Sequence, residues 1–351
     1  MKDGILNIYK PAGMTSHDVI YKLRKILGIK KLGHTGTLDP LATGVLPVCI
    51  GKATRVCEYL DDDFKKYRCT MVLGIETDTQ DVTGEILNTA DTSGIRSEDV
   101  YKAFEGFSGW IDQKPPMYSA VRVKGRRLYE YARAGEEVEV KTRKIFIKSL
   151  DVEIIDFAHD SNSKKVTFIV ECSKGTYIRT ICQDVGAALG CGASLESLER
   201  LASGRFTVED AVTLDELRDV AEAAGLSPER KFGEEIPEVF EKYVKGIDYP
   251  LQRFGEAVMT PETGRRFIDG WHVAYRECIS VTEPQYGDES GGEYGRKPGG
   301  EPGRKPERRL YRMYVQDPAA PGGKAFIGVA YHSDKYKKLV ADKVFARSDD
   351  K

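Results

Sequence analysis

Long apolar runs are missing from this chain. The longest mostly apolar stretch, residues 41–50, is broken by Thr43, Gly44 and Pro47. It falls well short of the ~18 residues a membrane helix needs, so no membrane span is expected. The chain reaches Pro11 without an apolar signal core, which argues against secretion and for a cytoplasmic protein. No C-x-x-C pair occurs among Cys49, Cys57, Cys69, Cys172, Cys182, Cys191 and Cys278. Reduced core thiols are expected there in preference to disulfides or zinc. The five histidines, at 17, 34, 159, 272 and 332, form neither an H-x-x-x-H pair nor a Cys/His cluster, so no hydrolytic metal site is expected. The dinucleotide fingerprint and the P-loop are absent too, and no cofactor is expected.

Net charge is also nearly absent: 53 Lys+Arg oppose 55 Asp+Glu. The total hides segregation along the chain. Residues 10–56 carry eight basic and two acidic side chains, residues 114–148 ten and four, and residues 209–245 five and eleven. Two separate basic blocks suit a polyanion, whose phosphates supply most of a binder's affinity. Solvated surface with local charge fluctuation is the blander reading of the same pattern. The hydrophobic fraction of 40% is enough for a core, and 351 residues suggest about two domains.

Periodicity places the first elements. Thr15 and Asp18 form a capping box before a helix whose Val19, Ile20, Leu23, Ile26 and Leu27 share one face, and Gly28 stops it. Two glycines and a D-P step then make Gly33 to Pro40 a tight irregular loop. Tyr67, Cys69, Met71 and Leu73 alternate as a strand, as do Val166, Phe168, Val170 and Cys172. The latter runs through Lys174-Gly175-Thr176-Tyr177 into a helix carrying Ile178, Ile181, Val185 and Leu189 on one side. Ser97 is read as the cap of a helix reaching Phe104, and residues 126–134 as a basic helix ended by Gly135. Strands separated by helices without a regular βαβ period indicate a mixed α/β or α+β domain. After about residue 250 the composition changes. Residues 284–307 hold seven Gly and four Pro and include the repeat GGEYGRKP, GGEPGRKP, which reads as a disordered loop. Alternating segments at 273–280, 310–316 and 326–331 flank it and suggest a small β-rich domain.

Asp39 sits at a sharp turn among small residues, where a carboxylate can act as nucleophile or base; an Asp before Pro also fits ordinary turn chemistry. Arg179, just inside a helix start, suits a phosphate or a buried carboxylate, and a surface arginine is the plain alternative. Tyr67, flanked by Lys65, Lys66 and Arg68, and Tyr118, Tyr129 and Tyr131 in the second basic block combine stacking surface with cations, as unpaired bases require.

Four long segments then occur in order: GHTGTLDPLATGVLPVCIGKATR (33–55), KYRCTMVLGIETDTQDVTG (66–84), QKPPMYSAVRVKGRRLYEYARAG (113–135) and CSKGTYIRTICQDVG (172–186). Together they closely resemble the bacterial tRNA pseudouridine-55 synthases, the TruB family. The resemblance covers roughly residues 4–206 and weakens over the C-terminal third. It implies a pseudouridine-synthase mixed sheet with flanking helices around a central cleft, spanning about 1–250, and a PUA-like RNA-binding domain over 251–351. It implies that uridine 55 in the T loop of tRNA is isomerised to pseudouridine without a cofactor. By the same resemblance Asp39 is the catalytic aspartate and His34 supports the vacated position of the flipped nucleotide. Tyr67 stacks on the uracil, Tyr177 and Leu198 line the uridine pocket, and Arg179 pairs with Asp39. Residues 113–143 match an insertion that grips the RNA arm, which points to a stand-alone enzyme without a guide RNA, expected as a monomer. A non-catalytic RNA-binding protein on this scaffold would not need Asp39, Arg179 and Tyr67 together. Three chemical roles fit Asp39: attack on the base, attack on the sugar, or proton abstraction.

Overall fold

The computed structural model describes residues 2–60, 63–157, 164–227, 229–285 and 308–346. Its centre is an eleven-stranded mixed sheet. The main path runs Val212–Thr213, Gly4–Lys10, Thr43–Ile50, Ala193–Ser203, Lys65–Leu73, Lys165–Cys172, Arg143–Asp156 and Gly109–Gln113. On that path only the Val212–Thr213 pairing with Gly4–Lys10 and the Ala193–Ser203 pairing with Thr43–Ile50 are parallel. The period-two reading of the two central strands holds. Cys69, Met71 and Leu73 point into one core with Val166, Phe168, Val170 and Cys172. Helix Ile178–Ala188 covers that face with Ile178, Ile181 and Val185, and Leu189 packs at its end.

Helix Ser16–Leu27 forms as its sequence predicts. Thr15 Oγ1 accepts from the Asp18 N–H at 3.1 Å while the Asp18 carboxylate accepts the Thr15 N–H at 2.9 Å, and Gly28 closes the helix at φ 65°. Val19, Ile20, Leu23 and Leu27 pack on Leu46, Val48 and Leu217. Each such fully buried aliphatic side chain stabilises the fold by roughly 1.5–3 kcal/mol.

Three boundaries differ from expectation. Helix Ser97–Phe104 starts one residue earlier than a Ser97 cap would allow: Arg96 holds the cap position and its N–H donates to the Asp99 carboxylate at 3.0 Å. The basic helix is shorter, Leu128–Ala134, because Arg126–Arg127 pairs with Arg122–Val123 as a small hairpin. Gly135 does end that helix in the left-handed conformation. The strand expected at 273–280 is Cys278–Thr282, preceded by one 3-10 turn, while Val273 bridges singly to Leu339. The Gly/Pro-rich stretch lies outside the described residues from 286 to 307.

The C-terminal region is a separate five-stranded sheet in the order Cys278–Thr282, Gly255–Met259, Leu310–Gln316, Lys324–Ser333, Lys338–Val344. Leu251, Phe254, Val329 and Phe345 share an apolar cluster with Ile5, Val45 and Cys49 of the first sheet and with Val56 in the 3-10 segment that follows Ile50. Lys52 Nζ also donates to the Phe345 carbonyl at 2.7 Å. Cys49, Cys69, Cys172, Cys182 and Cys191 are buried free thiols, and Cys57 and Cys278 are half-buried ones.

Candidate active site

Asp39 is presented by a loop that two neighbours lock in place. His34 ends the short strand Leu32–His34, opposite Val48, so the expected loop begins only at Thr35. Ser16, buried at the start of the first helix, accepts the Leu38 N–H at 3.0 Å and donates to the Leu38 carbonyl at 3.3 Å. That clamp turns the Leu38 side chain into the core. The Asp39 carbonyl then accepts the Ala42 N–H at 3.1 Å, a tight turn. Asp39 is left with its side chain 45% exposed. On its far side the Pro40 carbonyl accepts from Gly13 N at 2.9 Å and from Lys10 Nζ at 3.4 Å. Burial lowers the Lys10 ammonium to about 8, with the Asp39 carboxylate working the other way.

Arg179 meets Asp39 across the cleft. Its Nε lies 3.0 Å from Asp39 Oδ2, and its side chain is only 6% exposed. Nη1 donates to the Thr79 carbonyl at 2.8 Å and Nη2 to the Tyr118 carbonyl at 3.0 Å. The guanidinium fork is therefore fixed from three directions, which aims its Nε at the Asp39 carboxylate. A second carboxylate, Asp81, approaches Nη1 at 3.8 Å. Asp81 Oδ1 accepts from Thr79 Oγ1 at 2.9 Å and from the Thr83 N–H at 3.0 Å, which holds it off Arg179. Gln80 between them sits at φ 65°, a conformation costing a non-glycine residue roughly 1–2 kcal/mol. It is held there by Gln183 at 2.5 Å, Thr180 at 2.9 Å and the Leu195 N–H at 3.0 Å.

Tyr67 lies on the strand beside Arg179's helix, half-buried, and its hydroxyl is hydrogen-bonded to Arg200. Burial pushes the Tyr67 phenol up to about 12, with Arg200 opposing the shift, so the phenol is neutral at ordinary pH. Arg200 is buried at 1% exposure and donates to the carbonyls of Val45 at 2.6 Å and Gly36 at 2.8 Å. It thereby joins Tyr67 to the loop that carries Asp39. Two glycines make room for it. A Cβ on Gly44 (φ 98°) would meet the Arg200 carbonyl at 2.3 Å, and one on Gly36 (φ 65°) would meet its Nη1 at 3.1 Å.

Leu198 is buried two residues before Arg200 on the same strand, opposite Cys69. Tyr177 immediately precedes Arg179's helix, and its backbone N–H and carbonyl are both bonded to the Gln113 side chain. His34 lies beside His17, with ring centroids 5.6 Å apart and the ring planes at 83°, a T-shaped pair. A direct ion pair therefore joins Asp39 to Arg179, and Arg200 bridges Tyr67 to the Asp39 loop, while Tyr177 and Leu198 are placed by the elements carrying Arg179 and Arg200. Asp81, Gln113 and Arg200 were missed by sequence reasoning. The alternation of Thr77, Thr79, Asp81 and Thr83 is the signal for the first, since flanking threonines can hold a carboxylate; Arg200 shares its face with Leu198, which period two would have turned inward. Among the described residues no cluster of three or more His, Cys, Asp or Glu is placed to hold a metal.

The backbone resembles chains of two solved complexes. It superposes with a TM-score of 0.68 on a chain of a Cbf5–Nop10–Gar1 complex, at 24% identity over 99% of this chain and 86% of that one. It superposes with 0.66 on a chain of an H/ACA RNP bound to a substrate RNA containing 2′-deoxyuridine, at 23% identity over 99% and 86%. The chain thus shares the fold of these two chains. At the level of sequence, residues 24–178 match the N-terminal domain of the TruB family pseudouridylate synthases, and residues 179–252 match the tRNA pseudouridylate synthase B C-terminal domain. The chain is 46% identical over 271 residues to tRNA pseudouridine synthase B of Clostridioides difficile, covering 77% of this chain and 83% of that protein. It is 37% identical over 338 residues to the protein of the same name from Clostridium kluyveri, covering 96% and 98%. The chain belongs to the TruB family of pseudouridylate synthases, and it is an isomerase.

Proposed function

We propose that this enzyme converts uridine 55 in the T loop of tRNA to pseudouridine, acting on a flipped-out uridine through Asp39. The observation that carries the reading is the 3.0 Å contact between Asp39 and Arg179, made by a half-exposed carboxylate on a locked loop. The reaction exchanges an N–C glycosidic bond for a C–C bond, which needs no net oxidant and no hydrolytic water. A fixed carboxylate with an aimed charge meets that need.

The remaining site residues take roles that their positions support. Extrusion of the base costs a few kcal/mol. Stacking on Tyr67 returns roughly 1–3 kcal/mol of that. Tyr177 and Leu198 line the uridine pocket, and His34 supports the vacated position. Phosphate contacts from the exposed Arg122, Lys124, Arg126 and Arg127 of the 113–143 insertion supply further binding energy. Residues 251–351 act as a PUA-like RNA-binding domain beside a catalytic domain at 1–250. The enzyme works in the cytoplasm as a monomer and without a guide RNA.

The test is an assay of purified protein with an unmodified tRNA transcript and nothing else added, read by mapping of the modified position. Pseudouridine at position 55 alone supports the reading. No modification until a guide RNA is supplied, or modification elsewhere, overturns it.

A further inference from the structure

We propose that Gln113 and Tyr118, at the root of the RNA-gripping insertion, are positioning residues that tie this arm to Arg179 and through it to Asp39. The inference rests on the proposed function, because the arm is taken to engage the RNA.

Two attachments lie five residues apart. Gln113 ends the edge strand Gly109–Gln113 and is 2% exposed. Its side-chain amide closes a reciprocal pair with the backbone of one residue: the Tyr177 N–H donates to Oε1 at 2.8 Å, and Nε2 donates to the Tyr177 carbonyl at 3.0 Å. Tyr177 is the residue before helix Ile178–Ala188 and supplies no side-chain cap of its own. Gln113 therefore sets where that helix begins, and Arg179 is the second residue of the helix. The second attachment is Tyr118. Its carbonyl accepts from Arg179 Nη2 at 3.0 Å, and its phenol bonds to the Asp78 carboxylate. Asp78 adjoins Thr79, whose carbonyl takes Arg179 Nη1 at 2.8 Å. Between the attachments Pro115 and Pro116 are buried, and their rings restrict the chain to an extended path.

Each of the three guanidinium nitrogens thus has a partner. Nε aims at Asp39, while Nη1 and Nη2 rest on carbonyls whose positions Tyr118 helps to set, one directly and one through Asp78. A displacement of the arm's root moves the Tyr118 carbonyl and turns the fork away from Asp39. The arm beyond carries the exposed Arg122, Lys124, Arg126 and Arg127, so RNA held there acts on the same lever. Gln113 and Tyr118 touch no reacting atom in this account; they act through Arg179.

The experiment separates binding from the chemical step. Gln113→Met keeps length and loses both bonds; Gln113→Glu keeps the acceptor for the Tyr177 N–H; Tyr118→Phe keeps the carbonyl and loses the phenol bond. For each variant, the Kd for an unmodified tRNA transcript and the single-turnover rate at saturating enzyme are measured. The expected result for Gln113→Met is a rate loss of about tenfold or more with Kd changed less than about twofold. Gln113→Glu should fall between Met and wild type, and Tyr118→Phe should lose about threefold in rate. Combined with Arg179→Lys, Gln113→Met should add little further loss, because both act through one group.

An unchanged rate in Gln113→Met or Tyr118→Phe, or a loss in Kd that accounts for the loss in activity, overturns the proposal. So does multiplication of the losses in the double variant. If Gln113→Met does not fold, the Gln113→Glu and Tyr118→Phe results decide by the same criteria. Wild-type protein that makes no pseudouridine in the transcript fails the functional reading instead, before any variant is compared.

Discussion

Two buried arginines flank the cleft, and they differ in what neutralises them. Arg179 faces carboxylates: Asp39 at 3.0 Å and Asp81 at 3.8 Å. Arg200 rests on the carbonyls of Val45 and Gly36 and on the Tyr67 phenol, and burial lowers the pKa of its guanidinium. A buried cation opposite an ionised group is a directional element: its fork sets where a negative charge sits. A cation surrounded by carbonyl dipoles gains no such partner and must be justified by the backbone it holds together. On the proposed function this difference gives Arg179 a part in the reaction and Arg200 a part in the scaffold, although both are almost fully enclosed.

Substitution breaks this contrast in opposite directions. Arg179→Ala should reduce the single-turnover rate by about 10²–10³-fold, the scale of losing one aimed electrostatic group. The affinity for tRNA should stay within a few fold, as filter binding of unmodified transcript will show. Weakened binding with an unchanged rate would instead make Arg179 a phosphate contact. Arg200→Met should act mainly on stability. Leaving the Val45 and Gly36 carbonyls and the Tyr67 hydroxyl unpaired should cost roughly 2–4 kcal/mol in urea unfolding, with a smaller rate loss per folded molecule than Arg179→Ala gives. A stable but inactive Arg200→Met protein would erase the distinction.

Smaller effects sharpen the same contrast by probing charges outside the cleft. Arg122, Lys124, Arg126 and Arg127 are exposed on the insertion, and of these only Arg126 has an ion-pair partner among the described residues, Glu136 at 2.9 Å. Neutralising all four should lower the log–log salt slope of tRNA binding by about one for each phosphate that the arm no longer neutralises. An unchanged slope would show that these side chains face solvent in the complex. The smallest effect comes from thiols. Burial pushes Cys172 up to about 12 and also raises Cys69, Cys182 and Cys191. A raised folded pKa means the unfolded chain releases protons first. Stability from these groups is therefore complete below the unfolded thiol value of about 8.5 and declines as pH rises above it. Lys10, lowered to about 8 by burial, contributes in the opposite sense over about pH 8–10 but is one group against five thiols, since burial also pushes Cys278 up to about 11. Urea midpoints should fall between about pH 8.5 and 10.5, and by less in Cys172→Ala.

The sequence was legible where period or turn chemistry sets structure on its own. The Thr15 box, the Gly28 stop and the alternation of Cys69, Met71 and Leu73 all follow from neighbours within a few residues. Asp39, Tyr67 and Arg179 stood out because each is a reactive or charged type inside a segment with a strong family resemblance. What escaped depends on long-range pairing. Arg200 meets Val45 and Gly36 across more than 150 positions of chain, and Gln113 meets Tyr177 across 64. Nothing local to a lone Arg in a strand, or a Gln before Lys-Pro-Pro, announces such a partner. Helix starts were misjudged for a related reason. Arg126 and Arg127 have adequate helix propensity, yet pairing with Arg122 and Val123 holds them extended.

The central claim is that Asp39, and not the more deeply buried Asp81, is the carboxylate that reacts. Both contact Arg179, but Asp39 is 45% exposed and Asp81 only 9%. The direct test is the single-turnover yield of pseudouridine by Asp39→Asn and by Asp81→Asn, each with stoichiometric enzyme and unmodified tRNA transcript. Asn keeps the size of the side chain and removes the charge that the chemistry needs. The account predicts no detectable product from well-folded Asp39→Asn at undiminished tRNA affinity, and slowed but measurable turnover from Asp81→Asn. Turnover by Asp39→Asn, or its loss only in Asp81→Asn, would contradict it.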